Sequence, residues 1–355
     1  MTDHGVFCYP WDVVGDPAAA ERMAALGVGT VTLAAAYHSV RAITPHHPAH
    51  RVVEAHHAAA YFPVRPQAWH NRRLRPVAPS WGVPDPDSFG TAAEALRSAG
   101  LAIEAWIVLT HNTRLGLAHP DLSVRNTFGD RYPYALCPAH PEVREYVRTL
   151  VGEVTALYEP SGLVLEACGW LGFEHGGHHD KTGAGLTPGQ RELLSVCVCD
   201  ACARALGTTD AAVLLDPGHR PLLRAHRTAV IEELLREVRS VAGGLPLTLM
   251  ATDSLDHTGP DVGVDVTATA PLVDAYLLKC WGGQDEATIG LAMVRDRTDV
   301  RLLANVNLLE PGNDDSAVLA SRLGRLWEAG ADGLRHYHAG LASSPRLHAL
   351  RQAIG

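Results

Sequence analysis

The sequence predicts an α/β fold, a single (β/α)8 TIM barrel with long loops after its second and fourth strands. Short apolar runs recur along the 355 residues, and many are preceded by a segment with helical periodicity. This alternation is typical of a parallel sheet with crossover helices. Eight runs fit one barrel of this length. An open doubly wound sheet is the alternative, but no glycine-rich phosphate turn follows the first run.

The predicted elements follow one another at regular intervals. Helices are predicted over 17–27, 88–100, 140–158, 224–244 and 315–332, most of them ending near Gly, Asn or Asp. Residues 1–355 form one domain in this interpretation, with insertions at 38–88 and 168–228 at the C-terminal mouth. The strands are predicted at Val6–Tyr9, Thr30–Ala35, Ile103–Leu109, Gly162–Ala167, Leu245–Ala251, Ala275–Cys280, Val300–Val306 and Gly333–Tyr337.

Charge and hydropathy narrow the classes of partner. The net charge is −9 and no Lys/Arg run occurs, so we expect no nucleic-acid partner. No apolar stretch is long enough for a membrane span, and the amino terminus does not resemble a signal peptide, which favours a cytoplasmic protein without a membrane partner. We expect a small-molecule, carbohydrate-like substrate, and the sequence leaves the oligomeric state open, a homo-oligomer included.

Polar side chains stand at the ends of the predicted strands, where barrel active sites are built. Aromatic residues accompany them, and flat apolar faces beside hydroxyl-binding groups are what a sugar site needs. The candidate substrate-binding residues are Asp12, Tyr37, His38, His111, Asn112, Arg114, His175, His178, Lys279, Trp281, Asn305, Asn307, His336 and His338.

Glu166 is the strongest catalytic candidate. It ends an apolar strand, GLVLE, where an ionised carboxylate costs several kcal/mol unless it is paired. A buried ion pair is the structural alternative. In a glycosidase Glu166 would be the acid/base, with a second carboxylate among Asp253, Glu174 and Glu310. A carboxyl separation of about 5 Å would imply retention, and one beyond about 6.5 Å inversion.

Three cysteines in the segment VCVCDAC indicate a metal site. Cys197 and Cys199 would point to nearly opposite sides of a continuous helix, so Cys197, Cys199 and Cys202 share one ion only if the chain turns there. Cys137 is a candidate fourth thiolate for tetrahedral zinc. Four protein ligands would make the zinc structural, and no organic cofactor is predicted. Small buried hydrophobic cysteines are the alternative.

These motifs resemble a known enzyme family. Cys137, Pro138, Arg144 and Tyr146, followed by Glu166 and then the C-x-C-x-x-C of Cys197, Cys199 and Cys202, are similar to the zinc-containing β-galactosidases of glycoside hydrolase family 42. The resemblance implies a (β/α)8 barrel, an acid/base glutamate ending the fourth strand and cysteine-bound zinc. It also implies a nucleophilic glutamate at the seventh strand, where none stands squarely here, and Leu165 replaces the asparagine expected before Glu166.

Other functions are compatible with the same residues. A divalent-metal sugar isomerase, epimerase or hydrolase would use Glu166, His175, His178, Asp253 and His336 or His338 as ligands. A lyase or aldolase would form a Schiff base at Lys279, desolvated among its apolar neighbours. A barrel that binds sugar without turnover is the non-enzymatic alternative.

Overall fold

The barrel predicted from the sequence is confirmed. The computed structural model describes residues 3–81, 85–175, 185–256 and 258–355. Eight parallel strands follow one another around the barrel, and the last pairs with the first. Each overlaps a predicted strand. Strands β1 to β8 are His4–Cys8, Thr30–Tyr37, Ala102–Val108, Gly162–Glu166, Leu247–Ala251, Ala275–Lys279, Arg301–Asn307 and Gly333–Tyr337.

Helices surround the barrel, and their apolar faces cover it. The predicted helical segments correspond to α1, α2, α4, α8 and α10. In α4, Val143, Val147, Leu150 and Val154 recur at helical spacing and are buried. Helices α1 to α11 are Ala19–Ala24, Ser88–Ser98, Thr113–Ala118, Pro141–Leu157, Pro188–Ser195, Asp200–Leu206, Ala211–Leu215, Arg220–Val241, Gln284–Arg295, Ser316–Glu328 and Ser344–Ile354. None of the described helices is both long and apolar enough to cross a membrane.

Three long excursions extend from the carboxyl ends of β2, β3 and β4. The first contains the antiparallel strands Val40–Ile43 and Val52–Ala55, and Ala59–Ala60 then pairs with β2. The second, which the sequence did not predict as an insertion, contains α3 and the antiparallel strands Ser123–Arg125 and Arg131–Leu136. The third contains α5, α6 and α7. Short 3-10 turns are formed by Pro10–Asp12, Pro120–Leu122 and Ala270–Leu272.

Strand β8 illustrates how alternation decides which side chains face the barrel interior. Arg335 donates a 2.7 Å hydrogen bond to Glu104 of β3, a strand on the far side of β1 and β2, so both side chains lie inside. Successive strand residues point to opposite faces. Tyr337 therefore faces inward as well, nearer the carboxyl end, while His336 points outward toward the helices.

Candidate active site

A cavity of about 500 Å³ opens at the carboxyl ends of the barrel strands. Its wall includes Glu166 at the end of β4, Lys279 at the end of β6 and Asn305 on β7. Tyr337 contributes from β8. This is the end at which (β/α)8 barrels carry their binding residues, because the βα loops converge there. The cavity is therefore the candidate active site.

Glu166 is held in the cavity by a tryptophan of the neighbouring strand. Trp106 on β3 donates a 2.6 Å hydrogen bond from Nε1 to Glu166 Oε2. Desolvation raises the pKa of Glu166 to about 7, against lowering contributions from the Trp106 hydrogen bond and the Lys279 charge. The carboxyl group thus keeps a large share of its protons near neutral pH, as a general acid requires.

A second buried carboxyl group, Asp261, lies beside the first. Desolvation and the negative charge of Glu166 raise the pKa of Asp261 to about 7. Two smaller contributions lower this pKa: the backbone N–H of Ala167 donates a hydrogen bond to the carboxylate, and Lys279 carries a positive charge. The residue is only 7% exposed, and its Oδ1 atom has no hydrogen-bond partner among the described residues. Oδ1 of Asp261 is therefore a buried acceptor atom, hardly accessible to solvent and without a partner among the described residues.

Asp261 reaches this position through the loop that follows β5. The backbone N–H of Val262 donates to the carbonyl oxygen of Trp170 at 3.1 Å, and the reverse bond measures 3.3 Å, which fastens the loop to the segment after β4. Both backbones are strained: φ is +54° at Ala167 and +61° at Asp261. Left-handed backbone at non-glycine residues is costly and is concentrated at functional sites.

The negative charge of Glu166 contributes to the raised pKa of Asp261. Two carboxyl groups that share a desolvated site resist ionising together, because the second negative charge is repelled by the first. Near neutral pH, one group can hold a proton while the other is ionised, which is the combination that acid/base chemistry needs.

An aromatic floor lies beneath the carboxyl groups. The ring centroids of Tyr37 and Trp106 are 4.6 Å apart, and Tyr9 lies 5.0 Å from Tyr37. The hydroxyl oxygens of Tyr9 and Tyr337 are 3.3 Å apart. Burial, followed by neighbouring phenols, raises the pKa of Tyr9 and of Tyr37, so both stay neutral. Tyr37, Trp106 and Tyr337 bring this cluster into the cavity lining, whereas Tyr9 is fully buried and is not part of the lining.

Several residues predicted from the sequence do line this cavity. Trp281 donates a 3.3 Å hydrogen bond from Nε1 to Asn305 Oδ1, and the Nζ atom of Lys279 lies 4.2 Å above the Trp281 ring. Lys279 is exposed rather than desolvated, contrary to what the Schiff-base hypothesis required. The predicted residues in the lining are Tyr37, Glu166, Glu174, His175, Asp253, Lys279, Trp281 and Asn305.

Glu174 and Glu310 are already engaged by other side chains. Glu174 is 3.2 Å from Arg191 and also accepts a hydrogen bond from Thr258. Glu310 lies outside the cavity lining, where it pairs with Arg322 and accepts a 2.7 Å hydrogen bond from the backbone N–H of Gly282. Glu310 therefore fixes the turn after β6.

The two histidines of β8 do not reach the cavity. His336 is fully buried and faces outward, where its Nε2 lies 3.0 Å from Nδ1 of His4. His338 is also fully buried and stacks on Tyr9, with ring centroids 4.2 Å apart. Its Nδ1 lies 3.9 Å from Oδ2 of Asp12, which is also buried. The prediction that His336, His338 and Asp12 contact substrate is not supported by these positions.

A second set of predicted residues lies beside the cavity rather than in it. His38 and His111 have ring centroids 4.3 Å apart, and His111 Nδ1 is 3.2 Å from His175 Nε2. Asn112 caps α3 by accepting a 3.0 Å hydrogen bond from the Leu115 N–H. Outside the cavity lining, Arg114 is exposed on α3, and Asn307 accepts a 2.9 Å hydrogen bond from the Leu309 N–H. His178 lies outside the described residues.

The aromatic and acidic residues of the lining that were not predicted are Trp106, Asp261, Glu286 and Tyr337. Trp106 and Tyr337 are inward-facing strand residues, which period-2 alternation could have identified. Glu286 lies in the first turn of α9. An acidic residue there is explained by its interaction with the helix dipole and does not by itself indicate a cavity residue. Asp261 has no local signal, because its place depends on the distant pairing of Trp170 with Val262.

The four predicted cysteine ligands form a buried cluster that could hold a metal ion. Helix α5 ends at Ser195 and α6 begins at Asp200, so the chain does break where a shared ion requires it. The Sγ atom of Cys137 lies 3.6 Å from Cys199, 3.6 Å from Cys202 and 3.8 Å from Cys197.

Comparison with known proteins identifies the fold. No family model matches the chain, and no curated protein matches its sequence. The glycoside hydrolase domain of PgaB (BpsB) from Bordetella bronchiseptica is similar at a TM-score of 0.65 and 15% identity, covering 99% of this chain and 98% of that one.

Two further glycoside hydrolases share the fold. They are alpha-L-fucosidase isoenzyme 2 from Paenibacillus thiaminolyticus (TM-score 0.63, 14% identity) and a β-galactosidase from Marinomonas ef1 (0.57, 15%). Each alignment covers 99% of this chain, which spans 49% of the fucosidase chain and 58% of the β-galactosidase chain. At these identities the likeness shows the (β/α)8 barrel fold.

Proposed function

We propose that this protein hydrolyses a glycosidic bond with Glu166 and Asp261 as its pair of carboxyl groups. The observation that carries the proposal is their shared environment. Both lie in the cavity at the carboxyl end of the barrel, both have a pKa raised to about 7, and the charge of Glu166 helps to raise that of Asp261. Glycosidases need one protonated and one ionised carboxyl group on either side of the scissile bond.

Glu166 is the better candidate for the acid. The Trp106 N–H binds Oε2 and leaves Oε1 for a proton that can pass to the leaving oxygen. Asp261, the other buried carboxyl group of the cavity lining, would attack the sugar or activate water as its carboxylate. Microscopic reversibility then lets deprotonated Glu166 act as a base when water enters.

Among the carboxylates proposed from the sequence, Asp253 retains a role in the cavity. Glu174 and Glu310 are held by arginines, and the second oxygen of each accepts a hydrogen bond from Thr258 and from the Gly282 N–H respectively. Asp253 is exposed in the wall after β5. We assign Asp253 to substrate binding rather than to proton transfer.

The divalent-metal hypothesis has less support. Within the described parts of the chain, the four cysteines are the one cluster of His, Cys, Asp or Glu with ligand atoms close enough to share an ion. No three such ligand atoms of the described cavity residues lie within 4.8 Å of one another.

We further propose that the cysteine cluster holds structural zinc. A tetrahedral site with Zn–S bonds of about 2.3 Å has sulfur–sulfur edges of about 3.8 Å. The three distances from Cys137, between 3.6 and 3.8 Å, fit that geometry. His140 supports the assignment, because its Nε2 lies 3.3 Å from Cys199 Sγ and can donate to a thiolate. Four thiolates would fill the coordination sphere and leave zinc without a substrate position.

Turnover of a panel of aryl glycosides, varied in sugar and anomeric configuration, tests the proposed function. Glu166→Gln and Asp261→Asn should each lower kcat/KM by about 10²- to 10⁴-fold. Glu94→Gln, on the exposed surface of α2, is the control and should keep wild-type activity. Folding of all three variants is checked by circular dichroism. Near-normal turnover by folded Glu166→Gln would refute the assignment, and sugar binding without turnover would favour a non-catalytic barrel.

A further inference from the structure

Helix α8 carries an arginine that is buried without a counter-charge. Arg227 is only 6% exposed, and within the described residues it forms no ion pair and no side-chain hydrogen bond. Two other arginines of this helix are paired: Arg220 and Arg224 both contact Asp256, and Arg220 also contacts Glu192. Burying a guanidinium group without an opposite charge is costly. Arg227 therefore needs an anion that these engaged carboxylates do not provide.

The aliphatic stem of Arg227 is confined by close packing. A Cβ atom placed on Gly263 would stand 3.0 Å from the Cβ atom of Arg227 and 3.2 Å from Cζ3 of Trp170. Gly263 has a φ of +90°, a left-handed conformation that costs glycine little. The stem thus fills the space beside this backbone, and an unbranched apolar side chain could fill it equally well.

The cysteine cluster lies beside Arg227. Helix α8 packs against α6, which carries Cys202, and Arg227 lines a small pocket together with residues 195–196, directly before Cys197. Burial lowers the pKa of Arg227, and neighbouring negative charges raise it. In decreasing order, these charges belong to Cys202, Asp256, Cys197 and Glu192. Because both carboxylates already have arginine partners, the thiolates are the charges left for Arg227.

A zinc ion bound by four thiolates carries a net negative charge, because the sulfur charges outnumber those of the ion. All four cysteines are buried, so water does little to stabilise this charge. An opposite charge held close by stabilises it instead. His140 can donate to Cys199, whereas Arg227 faces the charges of Cys202 and Cys197. The arginine and the metal-bound cluster thus supply each other's missing counter-charge, which four neutral thiols would not do.

We infer that Arg227 is the counter-charge that stabilises the cysteine cluster in its zinc-bound, four-thiolate state. This inference rests on the proposed zinc site and adds a residue that sets its affinity. Zinc binding forms four Zn–S bonds and releases the thiol protons to solvent. The charge of Arg227 favours the products of that exchange. When the ion leaves, protons return to the sulfur atoms and Arg227 loses its counter-charge.

Zinc affinity provides the first test. It is measured by competition between a chromogenic chelator and the reduced, metal-stripped protein for added zinc(II). Arg227→Met keeps an unbranched stem without the charge and should lower zinc affinity by about 10- to 100-fold. Arg227→Lys keeps the charge and should restore most of that loss. Arg236→Met is the matched control, because Arg236 is exposed on the same helix and pairs with Glu232. It should bind zinc as the wild type does.

Two further measurements distinguish a charge effect from a packing effect. Cobalt(II) bound to Arg227→Met should give the same thiolate-to-cobalt absorption as in the wild type, because no ligand is removed. Arg227→Met should lower the Tm of the zinc form but raise the Tm of the metal-free form, where the buried charge has no partner. A side chain that only fills space would lower both Tm values when replaced. If Arg227→Met does not fold, the uncharged Arg227→Gln takes its place.

The results separate the role of Arg227 from the zinc site itself. If Arg227→Met binds zinc as tightly as the wild type does, or if Arg236→Met loses as much affinity, the inference is overturned and the zinc site stands. A lower Tm of Arg227→Met in both metal states would also overturn it. A wild-type chain that binds neither zinc nor cobalt would refute the zinc site, and the role of Arg227 with it, without bearing on the carboxyl pair.

Discussion

Trp106 Nε1 and Glu166 Oε2 are joined by a 2.6 Å hydrogen bond between adjacent strands of the barrel. Burial raises the pKa of Glu166 to about 7. The hydrogen bond from Trp106 lowers this pKa, because it stabilises the ionised carboxylate. Trp106 thus fixes both the orientation of Glu166 and the pH range in which that group holds its proton. It is a positioning residue for the proposed acid.

Replacing Trp106 with phenylalanine should move the alkaline limb of the pH profile upward. Loss of the donor removes an interaction with the ionised carboxylate, so the pKa of Glu166 should rise by about one unit. We expect kcat/KM to fall about tenfold near neutral pH, because the carboxyl group also loses its orientation. Trp281→Phe is the matched control, since that indole bonds to Asn305 instead. Equal shifts of the limb in both variants would contradict this role.

The dependence of kcat/KM on pH should be bell-shaped with its optimum near pH 7, because Glu166 and Asp261 both have a pKa raised to about 7. Below the optimum the proposed base gains a proton, and above it the proposed acid loses one. Activity should therefore fall about tenfold per pH unit on either side. A plateau extending well above pH 8 would be inconsistent with Glu166 as the acid.

Glu166→Gln should lower the pKa of Asp261, because the charge of Glu166 helps to raise it. The carboxyl titration of Asp261, followed by carbon NMR in the wild type and the variant, measures this coupling. Trp281→Phe, which changes no carboxyl group, provides the comparison. An Asp261 titration that is the same in Glu166→Gln and in the wild type would show that the two groups do not interact.

The barrel could be predicted because each strand carries its own local signal. The run GLVLE, for example, is apolar enough to be recognised as buried, and that same burial made Glu166 conspicuous. His336 was misplaced because all residues near strand ends were expected to face the cavity, whereas side chains alternate between the two faces of a strand. Tyr337, its neighbour, is the residue that does face it.

Asp261 could not be predicted in the same way. It lies in a loop ten residues beyond the end of β5, and its approach to Glu166 depends on the pairing of Val262 with Trp170. No periodicity or spacing near Asp261 encodes a contact that distant in sequence. Glu310 shows the converse case, in which a carboxylate expected at the site is bound by Arg322 from α10.

Asp12→Asn should stabilise the protein more at high pH than at low pH. Burial raises the pKa of Asp12 to about 7, above its unfolded value near 3.8. The folded state therefore binds this proton more tightly than the unfolded state does. The resulting contribution to the free energy of unfolding is fully present below about pH 4 and is lost as pH rises through 7. Asparagine does not titrate, so the free energy of unfolding of the variant should exceed that of the wild type by an amount that grows with pH. Above pH 7 this difference should reach at most about 4 kcal/mol.

Thermal unfolding at about pH 5 and pH 8 measures this difference. Asp296→Asn, at the end of α9 in the outer layer of the barrel, serves as the comparison. A change in Tm for Asp12→Asn that is equal at both pH values would show that Asp12 is not titrating against its burial.

Metal analysis of the purified chain should find about one zinc ion per molecule, bound by the four cysteines. The ion would tie Cys137, just before α4, to Cys199 at the start of α6, and so brace the wall that carries Glu174 into the cavity.

Cys199→Ser should lower the zinc content and reduce Tm by several degrees, because it removes one of four ligands. Cys168→Ala, a buried cysteine outside the cluster, should retain the metal. Zinc loss of equal extent in both variants, or a wild-type chain free of metal after purification without chelators, would contradict the assignment. A closed four-thiolate site also predicts that removal of zinc by a chelator destabilises the wall but removes no catalytic group. Chelator should therefore lower Tm at concentrations that leave kcat/KM, measured at low temperature, unchanged.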